Sequence, residues 1–194
     1  MVHDAGATRR HILDAATTEF SRHGLAGARV DRIAAAAGCS KERLYAHVGD
    51  KSALFEAVLN ASFASLGEAA ASVRAETAED FAVALFDHFV EHPENQRLLD
   101  WARLEEQYDW AASAPVLGDT RRAALRRLDE LGAAPAGGAW SVDDVFALVL
   151  ALATAWAHLP GGGEDGGAAG CGPGLPSVAH RRELVREAVR RLTR

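Results

Sequence analysis

Apolar residues recur three and four positions apart along most of the chain, which is the period of a helix with one buried face. Ile12, Ala15, Ala16 and Phe20 follow it between Thr8, a residue able to cap a helix, and Gly24, a natural stop, and predict a helix to about His23. After a loop over 24–28, Val30, Ile33, Ala34 and Ala37 predict a second helix at about 30–37. Gly38 can supply the positive φ of a tight turn, Ser40 can cap a third short helix, and Asp50 can cap a fourth from Lys51 to about Val73. Thr77 with Asp80 opens a helix of about 78–91 whose inner side holds Phe81, Ala82, Leu85, Phe89 and Val90. Pro93 suits the first position of a helix of about 93–110, and Pro115 that of a helix of about 115–131 closed by Gly132. Ser141 with Asp144 starts a helix to about Leu159. A last helix, about 178–193, has Leu184, Val185, Ala188, Val189 and Leu192 on one side and five arginines elsewhere. No alternating strand pattern is present, so the predicted fold is all-α with nine helices. It divides into a three-helix head, residues 1–52, and a helical body, residues 53–194. Residues 160–176 are too rich in glycine and proline to hold a packed element and are expected to be a flexible loop.

Composition narrows the class. No apolar run reaches the ~20 residues of a membrane span, and Met1-Val2-His3-Asp4 is too polar to open a signal peptide, so a cytoplasmic protein is expected. The two cysteines, Cys39 and Cys171, have neither metal-ligand nor redox-pair spacing. The net charge of −6 conceals an asymmetry. Residues 1–52 hold eight Lys/Arg against six Asp/Glu, a balance of +2, and the rest holds thirteen against twenty-one, a balance of −8. The only lysines, Lys41 and Lys51, both lie in the basic part. A basic head on an acidic body fits a head that meets DNA and a body that does not.

The chemistry gathers on the third helix. Leu44 and Val48, four apart, should hold it down, leaving Lys41, Arg43, Tyr45 and His47 outside. Lys41 and Arg43 are long donors near the N-terminus of a helix that follows a glycine turn, suited to guanine edges in a major groove. Tyr45, His47 and Lys51 offer a hydroxyl, a ring N–H and a cation at a helix N-terminus, all suited to phosphate. Glu42 is acidic on this helix; it faces away, pairs with a cation, or accepts from a cytosine amino group. The plain alternative for the whole set is a solvated polar face.

Ile12-Leu13-Asp14-Ala15-Ala16 with Phe20 and Gly24, Val30 with Ile33-Ala34 and Ala37-Gly38, and Leu44-Tyr45-Ala46-His47-Val48 followed by Lys51 and Leu54-Phe55 resemble the DNA-binding domain of the TetR family of repressors. The likeness covers residues 8–58, and beyond it only the helical architecture corresponds. It implies DNA contacts from Tyr45, His47 and Lys51, with Ser40 at the head of the reading helix. At position 29 many relatives carry a hydroxyl that caps the second helix and touches phosphate. Arg29 can reach phosphate but cannot cap. Cys39 reads either as a small buried residue or as a redox-sensitive thiol.

One reading helix binds weakly, so a homodimer on a palindromic double-stranded operator is expected. The candidate interface is Val142, Val145, Val149 and Ala153 with Leu184, Val185, Ala188 and Leu192, unless these stripes are internal core. The resemblance also implies a small-molecule effector held among the middle helices. Phe63, His88, Trp101, Leu104, Tyr108 and Phe146 are its candidate lining, with plain core packing as the alternative for each. His88 and His92 have a metal-ligand spacing without a required third ligand, so no metal and no cofactor are assigned. No nucleophile elbow, phosphate loop or His-Glu-x-x-His occurs, so no enzyme is expected. The predicted function is a DNA-binding regulator released from its operator by a small molecule. The alternatives are a metal- or redox-responsive regulator, or a ligand-independent binder or activator of the same fold.

Overall fold

The computed structural model describes residues 5–105, 108–134, 140–159 and 176–194. Among them are nine α-helices, one 3₁₀ turn and no strand, as the pattern predicted. The helices are α1 Ala5–Gly27, α2 Val30–Ala36, α3 Lys41–Val48, α4 Lys51–Ser72, α5 Ala78–Glu91, α6 Pro93–Leu104, α7 Trp110–Glu130, α8 Val142–Thr154 and α9 Val178–Leu192, with the 3₁₀ turn Ala155–His158 after α8. The glycine-rich loop predicted at 160–176 falls, save for Pro176, outside the described residues, as does Cys171. No helix of the described residues is long and apolar enough to cross a membrane.

Local capping explains most of the boundaries. Thr77 accepts from the Asp80 N–H, and Ser141 and Asp144 close a reciprocal capping box. Pro93 opens α6 as expected. Several boundaries differ. Helix α6 stops at Leu104 rather than near residue 110. Thr8 lies inside α1 rather than capping it, because the helix starts at Ala5. Gly24 does not end α1 outright: it kinks the helix with φ 64°, and helical turns resume to Gly27. Pro115 sits inside α7, which opens five residues earlier; Asp109 Oδ1 accepts from the Ala111 N–H at 2.9 Å and starts it.

The chain packs as two compact units. The first comprises residues 1–63 and 94–117, the second 64–93 and 118–194. The first core joins Ile12, Ala16 and Phe20 of α1, Ile33 of α2, Leu44 of α3 and Leu54, Phe55, Val58 and Leu59 of α4 to Leu98 and Ala102 of α6. This first core is therefore not closed at residue 52. Three short helices bury too little alone, and the start of α4 with α6 completes their core. The second core is built from Phe81, Ala82, Leu85 and Phe86 of α5, Leu128 of α7, Val145 and Val149 of α8, and Val185 and Val189 of α9.

Candidate nucleic-acid interface

The turn between α2 and α3 is made as the sequence specifies. Gly38 has φ 65°. The Gly38 N–H donates to Ala35 O and the Cys39 N–H to Ala34 O, at 3.2 and 3.0 Å, the paired bonds that close a helix with a left-handed residue after its last turn. Ser40 then caps α3, its Oγ accepting from the Arg43 N–H at 3.2 Å. Cys39 is half-buried against the first core, a small residue filling the turn. Leu44 is fully buried and Val48 half-buried beside it, so α3 is fixed by one stripe.

The candidate contact residues lie on the rest of that helix and beside it. Lys41 is exposed and its Nζ stands 3.0 Å from Asp31 Oδ1 of α2. That hydrogen bond, then the carboxylate charge, raises the Lys41 pKa. Arg43 donates from one terminal nitrogen to Thr8 Oγ1 at 3.3 Å, which orients it along α1. Tyr45 is half-buried, its ring partly packed on the first core. His47 is half-buried, and its backbone carbonyl accepts from Arg9 at 2.9 Å, tying the end of α3 to the start of α1. Lys51, at the first position of α4, donates to Ala26 O at 3.3 Å. Asp50 Oδ1 accepts from the Ala53 N–H at 2.8 Å and caps α4 as predicted. Glu42 is exposed, and its carboxyl is held below its ordinary value by its own backbone N–H and then by the Ser40 hydroxyl. It reinforces the helix N-terminus.

Arg29 is exposed and makes no side-chain cap on α2. Glu19 of α1 does that work across the chain. Its Oε1 accepts from the Arg29 N–H at 2.8 Å and from Arg32 Nε and a terminal nitrogen at 2.9 and 2.6 Å. Burial raises the Glu19 pKa, but the bonds from Arg29 and Arg32 outweigh it and leave the carboxyl below its ordinary value. Arg9 and Glu19 were not singled out by the sequence, since both act on partners distant along the chain.

The body residues are distributed between the units. In the first, Phe63 is buried in the core. Trp101 donates its indole N–H to Ser21 O at 3.2 Å. Tyr108 shares a short hydrogen bond with Ser113 and packs edge-on against Phe55, its phenol pushed up by burial. Leu104 is 72 % exposed and packs in neither core. In the second, Phe146 packs at the edge of the core, and buried His88 has its ring 4.9 Å from His92. No group of three or more metal-ligating side chains occurs among the described residues.

The two faces of α8 and α9 differ from the expected interface. Val145, Val149, Ala153 and Val185 are buried in the chain's own core, and Val142 packs against it. These residues are already covered within one subunit. Leu184, Ala188 and Leu192 line an open apolar groove with Leu148 and with Leu152, which also packs against the core, and Glu187 and Arg191 edge it.

Residues 12–58 match the family model described as bacterial regulatory proteins of the tetR family, and residues 78–191 match the tetracyclin repressor-like C-terminal domain. Over 102 residues the chain is 42 % identical to the HTH-type transcriptional repressor SCO4008 of Streptomyces coelicolor, covering 53 % of each chain. Over 108 residues it is 32 % identical to the HTH-type transcriptional repressor NicS of Pseudomonas putida, covering 53 % of this chain and 51 % of that one. The chain thus spans about half the length of both repressors. The crystal structure of the transcriptional regulator SCO4942 of Streptomyces coelicolor is 38 % identical, with a TM-score of 0.74 over 95 % of this chain and 97 % of that one.

Proposed function

The chain belongs to the TetR family of bacterial regulatory proteins, and from that premise we propose that it is a cytoplasmic transcriptional repressor that binds a palindromic operator as a homodimer and leaves it when a small molecule binds the body. The observation that carries the reading is α3. Leu44 anchors it, Ser40 caps it, and Lys41, Arg43 and His47 occupy the face that the core leaves uncovered.

In this reading Lys41 and Arg43 meet base edges, while Arg29, Ser40, Tyr45, His47 and Lys51 meet phosphate. The partners these groups hold without DNA are weak. An exposed ion pair such as Lys41 with Asp31 is weak, so exchanging it for DNA costs little. Lys51 stands at the N-terminus of α4, where the helix dipole favours a phosphate, and Asp50 leaves that end ordered.

The dimer in this reading forms through the open groove of α8 and α9. Leu148, Leu152, Leu184, Ala188 and Leu192 are an apolar stripe on two neighbouring helices, and a second copy laid across a two-fold axis would cover it. In this reading the effector is held among the middle helices of the body.

Selection of binding sites from random DNA with the purified protein tests the function. A palindromic site with half-sites spaced by one helical turn is the expected result. Recovery of no preferred sequence would remove operator recognition, and a single unpaired half-site would remove the dimer.

A further inference from the structure

Helix α9 carries five arginines, and four of them have carboxylate partners. Arg182 Nε lies 2.9 and 3.1 Å from the two oxygens of Asp87. Arg186 reaches Asp80 at 2.7 Å, Arg191 reaches Glu187 at 2.8 Å, and Arg190 also pairs with Glu187. Arg181 is the exception. It is 6 % exposed, the most buried of the five, and no described carboxylate pairs with it. Its Nε is wholly buried without an acceptor. The charge lies over the ring of Trp156, 5.9 Å from its centroid, and Trp156 in turn packs edge-on against Phe86 at 5.8 Å.

The helical register shows why this is unusual. Val178, Arg181, Val185 and Val189 fall three, four and four apart, so Arg181 occupies a core position of α9. The sequence pattern had set all five arginines apart from the apolar side. A guanidinium stays protonated at any pH a protein survives, so it cannot escape burial by losing its charge. Contact with an indole face offsets only part of the cost of desolvating a buried ion. A buried guanidinium whose Nε has no acceptor, beside aromatic surface, is the arrangement of a site that awaits an anion.

We propose that Arg181 and Trp156 form a binding site for the carboxylate of a small organic monoacid. The guanidinium would take the carboxylate through charge-assisted hydrogen bonds, and the apolar body of the acid would lie against Trp156. One uncompensated cation matches one negative charge. A phosphate dianion would need a second, and the adjacent Arg182 and Arg186 are already held by Asp87 and Asp80. Only the regulatory meaning of this site rests on the repressor reading above; the site itself stands on the burial and lack of partner of Arg181.

The test uses the full chain without DNA. The Arg181 Nε–Hε signal is followed by NMR while sodium benzoate or sodium acetate is added, with benzamide, sodium phosphate and sodium chloride at matched ionic strength as controls. The expected result is a saturable shift with both carboxylates, none with benzamide or chloride, and little with phosphate. Arg181→Gln should weaken benzoate binding, measured by calorimetry, about tenfold or more, the loss expected for one charge-assisted contact. Signals that move no further with either carboxylate than with chloride overturn the proposal, as does a larger shift with phosphate. Undiminished benzoate binding by a folded Arg181→Gln protein does the same. If that variant fails to fold, the wild-type titration still decides. Failure to select an operator would remove the repressor reading and leave this titration unaffected.

Discussion

Trp101 of α6 lies directly on Gly24, at the kink of α1. A Cβ at residue 24 would stand 2.6 Å from the indole ring, and the indole N–H is bonded to Ser21 O at 3.2 Å. Two requirements meet at this glycine: the φ of 64° excludes most side chains, and the ring leaves no space for one. Glu105, just past the end of α6, accepts from the Ala26 N–H at 3.2 Å, so α6 and the residue after it grip the end of α1 at two points.

Gly24→Ala is therefore expected to destabilise the protein by roughly 2–4 kcal/mol, the sum of backbone strain and overpacking. Denaturant unfolding measures it. In a Trp101→Ala background the same substitution should cost less, because only the strain remains. Equal costs in the two backgrounds would mean that the ring does not set the requirement.

Glu19 makes the stability of the head depend on pH. Its pKa is depressed in the folded protein, from an ordinary value of 4.5, by the Arg29 and Arg32 bonds acting against burial. A carboxyl of that kind stabilises fully above its unfolded value, and the contribution fades as pH falls through the folded value. Glu19→Gln should lose about 1–3 kcal/mol at neutral pH. It should also show a flatter decline in stability below about pH 4.5. Parallel acid unfolding of the two proteins would contradict this.

The α2–α3 turn was legible because its instructions are local: Gly38 for the positive φ, Ser40 for the cap, Leu44 for the anchor. Glu19 was not, because it serves α2 from ten residues away. The start of α7 was misread because proline is a good first residue, whereas Asp109 supplied the actual cap. The largest gap was in α8 and α9. Both helices carry apolar residues on two faces, and periodicity alone does not say which face the chain covers itself. Val145, Val149 and Val185 went inside, Leu184 and Leu192 outside, and Arg181 went inside against its own polarity.

Base-reading and phosphate-holding residues should separate by how they fail. Arg43→Ala and Lys41→Ala are each expected to cost about 1–3 kcal/mol on the selected operator and to relax preference at one base position. Lys51→Ala should weaken binding to all sequences and reduce the salt dependence by about one phosphate contact. Tyr45→Phe, which removes only the hydroxyl, should resemble Lys51→Ala. Anisotropy titrations at several salt concentrations read all four. Undiminished operator affinity in Arg43→Ala and Tyr45→Phe would refute the assigned face. Asp31→Ala should act in the opposite direction, since it frees Lys41 and removes a negative charge beside the DNA.

The groove on α8 and α9 makes the last test sharp, because its two faces give opposite phenotypes. Leu184 is exposed and Val185 fully buried, one residue apart on the same helix. Leu184→Glu places a charge on the open stripe and touches no core. It should leave the helical content and unfolding midpoint of the monomer nearly unchanged, shift the sedimenting species from dimer to monomer, and abolish high-affinity operator binding, since a lone reading helix retains only half of the contacts. Val185→Ala removes core methyls instead. It should lower stability by about 1–3 kcal/mol, with the dimer intact at temperatures where the chain is folded. A Leu184→Glu protein that still sediments as a dimer would show that the second copy sits elsewhere.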